Sequence, residues 1–405
     1  MLKVIVVGGG PAGIMAALSA AKNNEVILIE RNKEIGAKLK LTGGGRCNIT
    51  NNRDIEEFFD KIVSNKKFLY SALYTFSNQQ LLEYFRTNGL EYKEELDQKI
   101  YTKSDRADEV IEILKQDLER SNVKIMYNSK VQQLIVEDGD IKGVVTDDGK
   151  RILGERVIIT TGGKSYPGSG SDGSMFEVLS NQGHTITPLY AALIPLVIKE
   201  EFVKTLQGVS MRDVVISAKI KKKSIEKFGD MIFTHFGISG PAVLKLSSYI
   251  NKALAEGEVE VTLDFLREKS KDEISEIMRV NPNKTVLNNL KGIVPQNFLK
   301  EIFNLLGLTE VKVSDLKRSD ENKIINYIKE MKLTARETLS IKAAQVTSGG
   351  VKVKEINAST MESKLIKNLY FAGEVIDIDA ETGGYNLQMA FSTGYLAGSS
   401  SITLN

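Results

Sequence analysis

The sequence is short of the residues from which disulfides and metal sites are built. Its 405 residues include one cysteine and two histidines, and they include no tryptophan. A single cysteine cannot form an internal disulfide, and a structural zinc site usually needs several cysteine or histidine ligands. The composition therefore excludes a disulfide-stabilised secreted scaffold and predicts no metal site.

Excess charge and long apolar runs are also lacking. The 54 Lys and Arg residues nearly balance the 52 Asp and Glu residues, which leaves a net charge of +2. Any nucleic-acid contact must therefore be local. No run approaches the roughly 18 apolar residues of a membrane span, and the apolar N-terminus has no separate cleavage region. We therefore expect a soluble, cytoplasmic protein with no membrane partner.

Length and hydrophobic content, by contrast, are ample. A chain of this size with 42% hydrophobic residues is expected to form two or more domains. The N-terminal pattern predicts a strand over 3–7, a helix over 11–22 and a second strand over 25–30. Short alternating segments between 123 and 162 predict an antiparallel meander that returns to a core strand at 157–161.

A change of pattern near residue 190 predicts an inserted module. Strand-like segments such as DVVISAKI and VEVTLDF come first, and helical segments such as KDEISEIMRV and PQNFLKEIFNLLG follow. The insert holds 23 Lys and Arg residues against 19 Asp and Glu residues. The predicted domains are a discontinuous domain of residues 1–190 and 336–405, and an insert of residues 191–335 with a β part to about 265 and a helical part from about 266.

The stretch GGGPAG fits the pattern G-x-G-x-x-G between a predicted strand and a predicted helix, and Glu30 ends the next strand. Gly8 permits the sharp turn, Gly10 lets the backbone approach a pyrophosphate, and Gly13 lets the helix pack on the strand. The helix N-terminus, which begins with Pro11 and Ala12, is expected to offer unpaired N–H groups to the phosphates. Glu30 would accept hydrogen bonds from ribose hydroxyls. These features predict a dinucleotide site without separating FAD from NAD.

Five stretches carry a narrower resemblance: GGGPAG, GAKLKLTGGGRCNITN, TTGGKSYPGSGSDG, FTHFGISGPAVLKLS and LYFAGEVIDIDAETGGYNLQMAFSTG. From end to end, the chain resembles the HI0933-like family of FAD-dependent oxidoreductases. TGGGRCNITN and GGYNLQ are the most specific signals. The resemblance implies an α/β fold: a Rossmann-like FAD-binding domain of the two-dinucleotide-binding-domain type, interrupted by a module with a β-barrel part and a helical part.

The resemblance also implies non-covalent FAD, with NADH or NADPH as the reductant. In similar flavoproteins an acid after the C-terminal strand meets the ribityl chain, and the next helix points its N-terminus at the flavin. Together, motif and resemblance predict these FAD-binding residues: Gly8, Gly10, Pro11, Ala12, Gly13, Glu30, Arg31, Lys38, Gly44, Gly45, Arg46, Asn48, Val131, Thr161, Gly162, Gly373, Glu374, Asp377, Gly384, Asn386, Leu387 and Gln388.

The stretch TGGGRCN places the only cysteine beside three glycines and an arginine. The glycines let the backbone run close to the flavin or its phosphates. Arg46 would donate to a pyrophosphate or an anionic ring, and the Asn48 amide would bond to ring edges. An electropositive turn would lower the pKa of the Cys47 thiol and make it a proton donor. The alternative is that Cys47 is a small buried packing residue.

Two further residues are candidates for catalysis. His235 is predicted to lie between a strand and a helix N-terminus, where an anion could bind, or to be structural. Tyr385 is the other alternative to Cys47 as the proton donor. The second histidine, His184, is predicted to be a structural cap after a helix.

A second stretch, GSGSDG at 168–173, also fits G-x-G-x-x-G. The strand before it ends at Thr161, GGKSYP separates strand from turn, and no acid ends a following strand at the right distance. We therefore expect a flexible loop beside the flavin rather than a separate NAD site.

The predicted activity is transfer of hydride from NADH or NADPH through the flavin to a carbon–carbon double bond. The resemblance implies three classes of acceptor: uridine of large-subunit ribosomal RNA, reduced to dihydrouridine; oxo-steroids of bile-acid type; and amino ketones such as aminoacetone, which would be oxidised. RNA is favoured because the insert is basic and contains the run Lys221–Lys223, although such a run can be a solvated turn. A non-catalytic, flavin-bound assembly factor is the alternative of another class.

Overall fold

The computed structural model describes residues 1–401. The chain forms two compact units. The discontinuous unit consists of residues 1–190 and 341–401, and the inserted unit consists of residues 191–340. The chain returns to the discontinuous unit at residue 341, a few residues after the predicted position 336.

The strands are numbered along the chain. They are β1 (Lys3–Val7), β2 (Glu25–Ile29), β3 (Asn48–Asn51), β4 (Tyr92–Glu95), β5 (Lys99–Thr102), β6 (Lys124–Met126), β7 (Val131–Glu137), β8 (Asp140–Thr146), β9 (Arg151–Leu153), β10 (Arg156–Ile159), β11 (Tyr190–Ala192), β12 (Leu196–Ile198), β13 (Ser210–Ile220), β14 (Lys223–Phe233), β15 (Gly237–Ser239), β16 (Val259–Asp264), β17 (Met331–Thr338), β18 (Val346–Ser348) and β19 (Leu369–Phe371).

The α-helices are numbered in the same way. They are α1 (Pro11–Ala20), α2 (Ile55–Phe58), α3 (Tyr70–Thr75), α4 (Asn78–Thr87), α5 (Ala107–Arg120), α6 (Ser174–Asn181), α7 (Pro241–Glu256), α8 (Lys271–Arg279), α9 (Val286–Asn289), α10 (Gln296–Leu306), α11 (Arg318–Lys329) and α12 (Tyr385–Ser400).

A five-stranded parallel sheet forms the centre of the discontinuous unit, in the order β19-β10-β1-β2-β6. Near-continuous apolar runs such as KVIVV suit strands that are buried on both faces. This confirms the predicted Rossmann-like α/β fold. The prediction that 124–126 starts the meander is wrong, because β6 pairs in parallel with β2. Three residues are too few to separate a parallel strand from an antiparallel one by pattern.

Two small antiparallel sheets lie outside this central sheet. The meander contains β7, β8 and β9 in that order, and the second sheet has the order β3-β5-β4. The second sheet matters for the site because β3 follows the glycine-rich turn at 43–45 directly.

The inserted unit contains a closed six-stranded barrel in the order β12-β15-β14-β13-β16-β17. Helices α8 to α11 lie in the predicted helical part. The last barrel strand, β17, also lies in that part, so the prediction of helix up to 335 is wrong there. Its alternating residues MKLTA point every second side chain into the core. Within residues 1–401, no helix is long and apolar enough to cross a membrane, and no cluster of His, Cys, Asp and Glu could hold a metal ion.

Candidate cofactor site

In the turn between β1 and α1, Gly8 and Gly13 are required for backbone conformation and packing, whereas the space around Gly10 is open. Gly8 has φ of +108°, and a Cβ on Gly13 would lie 1.8 Å from the Gly8 carbonyl oxygen. Gly10 has φ of −81°, which any residue can adopt, and a Cβ there would meet no heavy atom within 4 Å. Pro11 begins α1 and needs no partner for an N–H group. The absence of a side chain at Gly10 therefore fits space for a pyrophosphate at the helix N-terminus.

Glu30 follows β2 and holds this turn in place. One carboxylate oxygen accepts from the Gly9 N–H group at 2.7 Å, and the other accepts from the Asn32 N–H group at 2.7 Å. Burial raises the pKa of Glu30, against the opposing effect of these two bonds. Its predicted contact with a ribose stays a prediction, but its role in the turn is visible without a ligand.

The second open backbone lies at 43–45. Gly44 and Gly45 have φ of +68° and +91°, and a Cβ on either one would meet no heavy atom within 4 Å. The backbone of this turn therefore presents a face with no side chain on it. A flat ring or a phosphate could approach that face closely.

Most of the donors of Arg46 already have partners within the protein. Its Nε donates to Asp105 at 2.7 Å, its other nitrogens contact Glu95 and Asp105, and its guanidinium lies over the Tyr101 ring. The hydrogen bonds that Arg46 donates to Glu95 and to Asp105 raise the pKa of Arg46, with the bond to Glu95 as the larger cause. The guanidinium joins the turn to the β4–β5 hairpin, and its predicted contact with FAD stays a prediction.

The thiol of Cys47 has the opposite properties to those predicted. The residue is fully buried, and burial raises the pKa of the thiol to about 12. The prediction of a lowered pKa is wrong because desolvation by burial outweighs the hydrogen bond with Thr42, which lowers the pKa. Cys47 also adopts φ of +57°, an uncommon conformation for a residue with a side chain. The packing alternative fits these observations better than the proton donor does.

Three predicted polar residues around the start of α12 bond to the protein itself. The Asn48 amide, oriented by its neighbours, donates to the carbonyls of Ile100 and Thr50 and accepts from the Gly384 N–H group. The Gln388 side chain accepts from the Thr50 hydroxyl at 2.7 Å. The predicted bond from Asn48 to a flavin ring edge stays a prediction. These amides position the first turn of α12 against β3.

Asn386 acts in the same way on the loop before α12. Its amide oxygen accepts from the Ala380 N–H group at 3.0 Å, and its nitrogen donates to the Ala380 carbonyl at 2.8 Å. Leu387, beside it, packs partly buried against the core of the discontinuous unit. The loop from 380 to 386 is thus closed by a side chain of the helix that it leads into.

A partly buried ion pair connects two of the predicted residues. The Lys38 ammonium lies 2.6 Å from the Glu374 carboxylate and donates to the Ser165 hydroxyl at 2.6 Å. Glu374 also accepts from the Thr347 N–H group at 2.6 Å. Burial opposes ionisation of Glu374, but the charge of Lys38 and these hydrogen bonds lower its pKa. Glu374 is thus an ionised carboxylate at the end of the central sheet.

Sequence reasoning missed Ser165 and Thr347, which complete this network. Both lie beside glycine pairs, in TTGGKS and in VTSGG. Such pairs mark places where the backbone makes close approaches, and that signal could have pointed to both residues. Without a structure, however, nothing brings residues that far apart in the chain together.

Three polar atoms near the carboxyl ends of the strands are buried without a partner among the described residues. They are Thr161 Oγ1, Ser171 Oγ and Asp377 Oδ1. Buried polar atoms normally form hydrogen bonds, so a ligand or water is expected to satisfy them. Thr161 and Asp377 are predicted FAD residues, and Ser171 lies in the stretch 168–173, which the sequence predicts to be a loop beside the flavin. Together with the open backbone at Gly10 and at Gly44–Gly45, these atoms fit a polar dinucleotide.

The other predicted residues have structural contacts within the same unit. Gly162 follows β10, and a Cβ added at this position would lie 2.8 Å from the Ser171 hydroxyl. The Gly373 N–H group, after β19, donates to Thr393 at 2.9 Å. Val131 is buried at the start of β7. Arg31 forms an ion pair with Asp172 at 2.6 Å. The predicted contacts of these residues with FAD stay predictions.

The catalytic candidates differ in their surroundings. Tyr385 is buried in the first turn of α12, with its ring edge-to-face on Phe58, and burial raises its pKa to about 12. His235 belongs to the inserted unit, where it is exposed in the turn between β14 and β15. His235 is predicted to lie between a strand and a helix N-terminus, and in the structure the short strand β15 separates it from α7. His184 is buried and bonds to Ser363 at 2.8 Å, as a structural residue would.

Comparison with known proteins gives the family. The family described as HI0933-like protein Rossmann domain matches residues 2–400. The chain is 34% identical to a protein of Clostridium scindens named 3-dehydro-bile acid delta(4,6)-reductase, over 98% of both chains. It is 30% identical to the ribosomal RNA dihydrouridine synthase of Haemophilus influenzae, over 96% of both chains. The Escherichia coli protein of that name is 29% identical, also over 96% of both chains.

Solved structures agree on the fold. The 3-ketosteroid-delta4-(5alpha)-dehydrogenase of Rhodococcus jostii aligns with a TM-score of 0.53 at 14% identity, covering 99% of this chain and 97% of that one. That identity supports the fold alone. The residues of the site fit FAD, and the full-length match sets aside the alternative of a non-catalytic assembly factor. The chain belongs to the HI0933-like family and is an FAD-dependent oxidoreductase.

Proposed function

We propose that this protein reduces a carbon–carbon double bond conjugated to a carbonyl group, with NADH or NADPH as the reductant and a uridine of large-subunit ribosomal RNA as the acceptor. The reaction consumes one hydride and one proton and gives dihydrouridine. The support is the pair of full-length relatives named ribosomal RNA dihydrouridine synthase. The reductase of Clostridium scindens acts, by its name, on a related type of double bond.

The residues of the chain have separate tasks in this proposal. Bound FAD would supply the hydride-transfer chemistry that links the reductant to the acceptor. The open backbone at Gly10 and at Gly44–Gly45 would hold its phosphates and ring system. The ionised Glu374, fixed by Lys38, would accept hydrogen bonds from hydroxyls of the ribityl chain. The N-terminus of α12 would favour negative charge next to it.

The proton has three proposed donors, and they differ in how readily they could supply it. Cys47 is fully buried with a raised pKa, so it would need a hydrogen-bonded route to the acceptor. Tyr385 is nearly as buried but lies in the first turn of α12. His235 is exposed in the inserted unit. Cys47→Ala and Tyr385→Phe, compared in single-turnover reduction of the acceptor at equal rates of flavin reduction, would separate these donors.

RNA as the acceptor gains support from the hairpin that joins β13 to β14. Lys221, Lys222 and Lys223 form its exposed tip. Lysines that project from a hairpin can neutralise phosphates, and binding then weakens as salt rises because counterions are released. The hairpin thus provides the local positive charge that the balanced composition as a whole does not.

The decisive experiment is mass spectrometry of ribosomal RNA from cells that lack the gene. We expect one dihydrouridine to be missing and to return when the wild-type gene is restored. A variant with Lys221, Lys222 and Lys223 changed to Glu should restore it poorly, whereas the matched change of all three to Arg should restore it fully. If the deletion leaves every dihydrouridine in place, RNA is not the acceptor.

A steroid acceptor is the second candidate, because the relative named for a bile-acid substrate is 34% identical over almost the whole chain. The test is oxidation of NADH or NADPH by the purified protein in the presence of a 3-oxo bile acid with double bonds at positions 4 and 6. Turnover with that compound, together with unchanged ribosomal RNA in the deletion strain, would establish this alternative.

The cytoplasmic location of the protein stays a prediction.

A further inference from the structure

The surface of the discontinuous unit carries a ladder of stacked aromatic rings. Tyr70 and Tyr74, one turn apart on α3, are 44% and 54% exposed. Their ring planes are within 6° of parallel, with centroids 6.3 Å apart. The buried Phe59 stacks against Tyr70 at 4.3 Å and fixes its orientation. We name Tyr70 and Tyr74 the tyrosine platform.

Positive charge lies next to the tyrosine platform. Lys66 and Lys67 are exposed in the turn that leads into α3. Lys66 lies 4.0 Å from Asp60, and the Tyr74 hydroxyl donates to Glu56 at 3.2 Å. Glu56 therefore contacts the hydroxyl edge of Tyr74, while much of the surface of both tyrosine rings stays accessible.

The segment before the tyrosine platform is bonded to the loop that leads to α12. The Asn65 amide donates to the Asp377 carbonyl at 2.6 Å, and the Val63 N–H group donates to the Asp379 carbonyl at 2.8 Å. The Glu381 N–H group donates in turn to the Lys61 carbonyl at 2.9 Å. The platform is thus attached to the loop that carries the predicted FAD residue Asp377.

We infer that the tyrosine platform binds unpaired nucleotides next to the target uridine, with bases stacked on Tyr70 and Tyr74 and phosphates near Lys66 and Lys67. The inference rests on the proposed RNA acceptor. Proteins read single-stranded RNA by stacking bases on exposed aromatic rings, and an enzyme that acts on a base must take it out of its helical stack. Rigid parallel rings beside lysines suit that task, because every base has a face that can stack.

The test compares the purified full-length variants Tyr70→Ala/Tyr74→Ala and Tyr70→Phe/Tyr74→Phe, loaded with FAD. The probe is a fluorescent single-stranded oligouridine. Base stacking contributes roughly 1–3 kcal/mol per base, so the alanine variant should bind about tenfold more weakly or worse. The phenylalanine variant keeps both rings and should bind like the wild type. Leu153→Ala, at a side chain that is 57% exposed on β9, is the matched surface control and should also bind normally.

Separate readouts distinguish a failure of this inference from a failure of the proposed function. Flavin reduction by NADPH without RNA should be equal in all variants. If the wild type does not bind the probe and the deletion strain keeps its dihydrouridine, the proposed function fails first. If the wild type binds and the alanine variant binds equally well, the platform is not an RNA site. Loss of a protein partner by the alanine variant, with RNA binding unchanged, would overturn the inference in favour of protein docking.

Discussion

Two stretches of this chain fit the same glycine pattern and form different structures. In the stretch at 8–13 the strand ends at Val7, one residue before the turn, and α1 begins inside the motif at Pro11. In the stretch at 168–173 the preceding strand ends at Ile159, and α6 begins only after the motif, at Ser174. The first stretch is thus a strand-to-helix turn, and the second is a loop.

The central glycines of the two stretches, Gly10 and Gly170, differ in the space around them. A Cβ on Gly10 would meet no heavy atom within 4 Å, whereas a Cβ on Gly170 would lie 2.8 Å from the Asn32 amide nitrogen. Arg31 donates to the Gly170 carbonyl at 3.2 Å, and Asn32 donates to the Ser169 carbonyl at 2.9 Å. The second stretch is filled and bonded by the chain itself, in contrast to the flexible loop expected from the sequence. The pattern alone therefore does not identify a phosphate site.

The largest expected effect comes from filling the space at Gly10. Gly10→Val should leave the fold intact, because φ at Gly10 suits any residue, and should abolish FAD binding by occupying the room for the pyrophosphate. The measurement is the flavin absorbance of the purified protein, together with its circular dichroism.

Gly168→Val is the matched control in the second stretch. A Cβ on Gly168 also meets no heavy atom within 4 Å, and Gly168 does not have the left-handed φ of Gly170. This variant should keep its FAD. Full flavin content in Gly10→Val would refute the assignment of the first stretch, and loss of flavin in Gly168→Val would mean that both stretches contact FAD.

A smaller effect is expected from Glu30→Gln, which tests how the first turn is held. The amide group can accept only one of the two N–H bonds that Glu30 now accepts, so one buried N–H group loses its partner. This should lower the free energy of unfolding by about 1–3 kcal/mol and weaken FAD binding. Denaturant titration and FAD titration give the two values. Unchanged FAD affinity with lowered stability would restrict Glu30 to a structural role.

Gly170→Ala should have a smaller effect again. A left-handed φ of +100° costs a residue with a side chain about 1–2 kcal/mol, and the Asn32 side chain must also shift. Flavin content and the KM for NADPH should remain as in the wild type, because the loop is not a separate NAD site. A rise in that KM with normal FAD content would show that the loop binds the reductant.

The comparison also shows what the sequence could predict. Strand β1 and the start of α1 follow from a local apolar run that ends in glycines, and both were predicted to the residue. The partners of Arg46 could not be predicted, because Glu95 and Asp105 reach it only through the pairing of β3, β4 and β5. The raised pKa of Cys47 could not be predicted either, because it results from burial, and burial depends on how the whole unit packs. The sequence thus indicates which residues gather at the site but not which of them bond to one another.

The smallest expected effect concerns the pH dependence of stability. It has opposite signs for Asp172, in the second stretch, and for Glu30, which holds the first turn in place. Burial raises the pKa of Asp172, but the hydrogen bonds from Arg31 and Ser174 outweigh it and lower the pKa to about 2. Its ionised form therefore stabilises the fold above about pH 4, and this contribution is lost as the pH falls from about 4 to about 2. For Glu30, whose pKa burial raises, stability instead falls as the pH rises through the range between the unfolded and folded pKa values.

Asp172→Asn isolates the contribution of the second stretch. At neutral pH it should lower the free energy of unfolding by less than about 1 kcal/mol, because the ion pair with Arg31 is partly exposed to solvent. The difference from the wild type should shrink as the pH approaches about 2, where both proteins lack the charge. Urea titrations of the two proteins across this pH range provide the measurement. A difference that stays constant with pH would mean that the Asp172 side chain stabilises the loop by hydrogen bonding rather than by its charge.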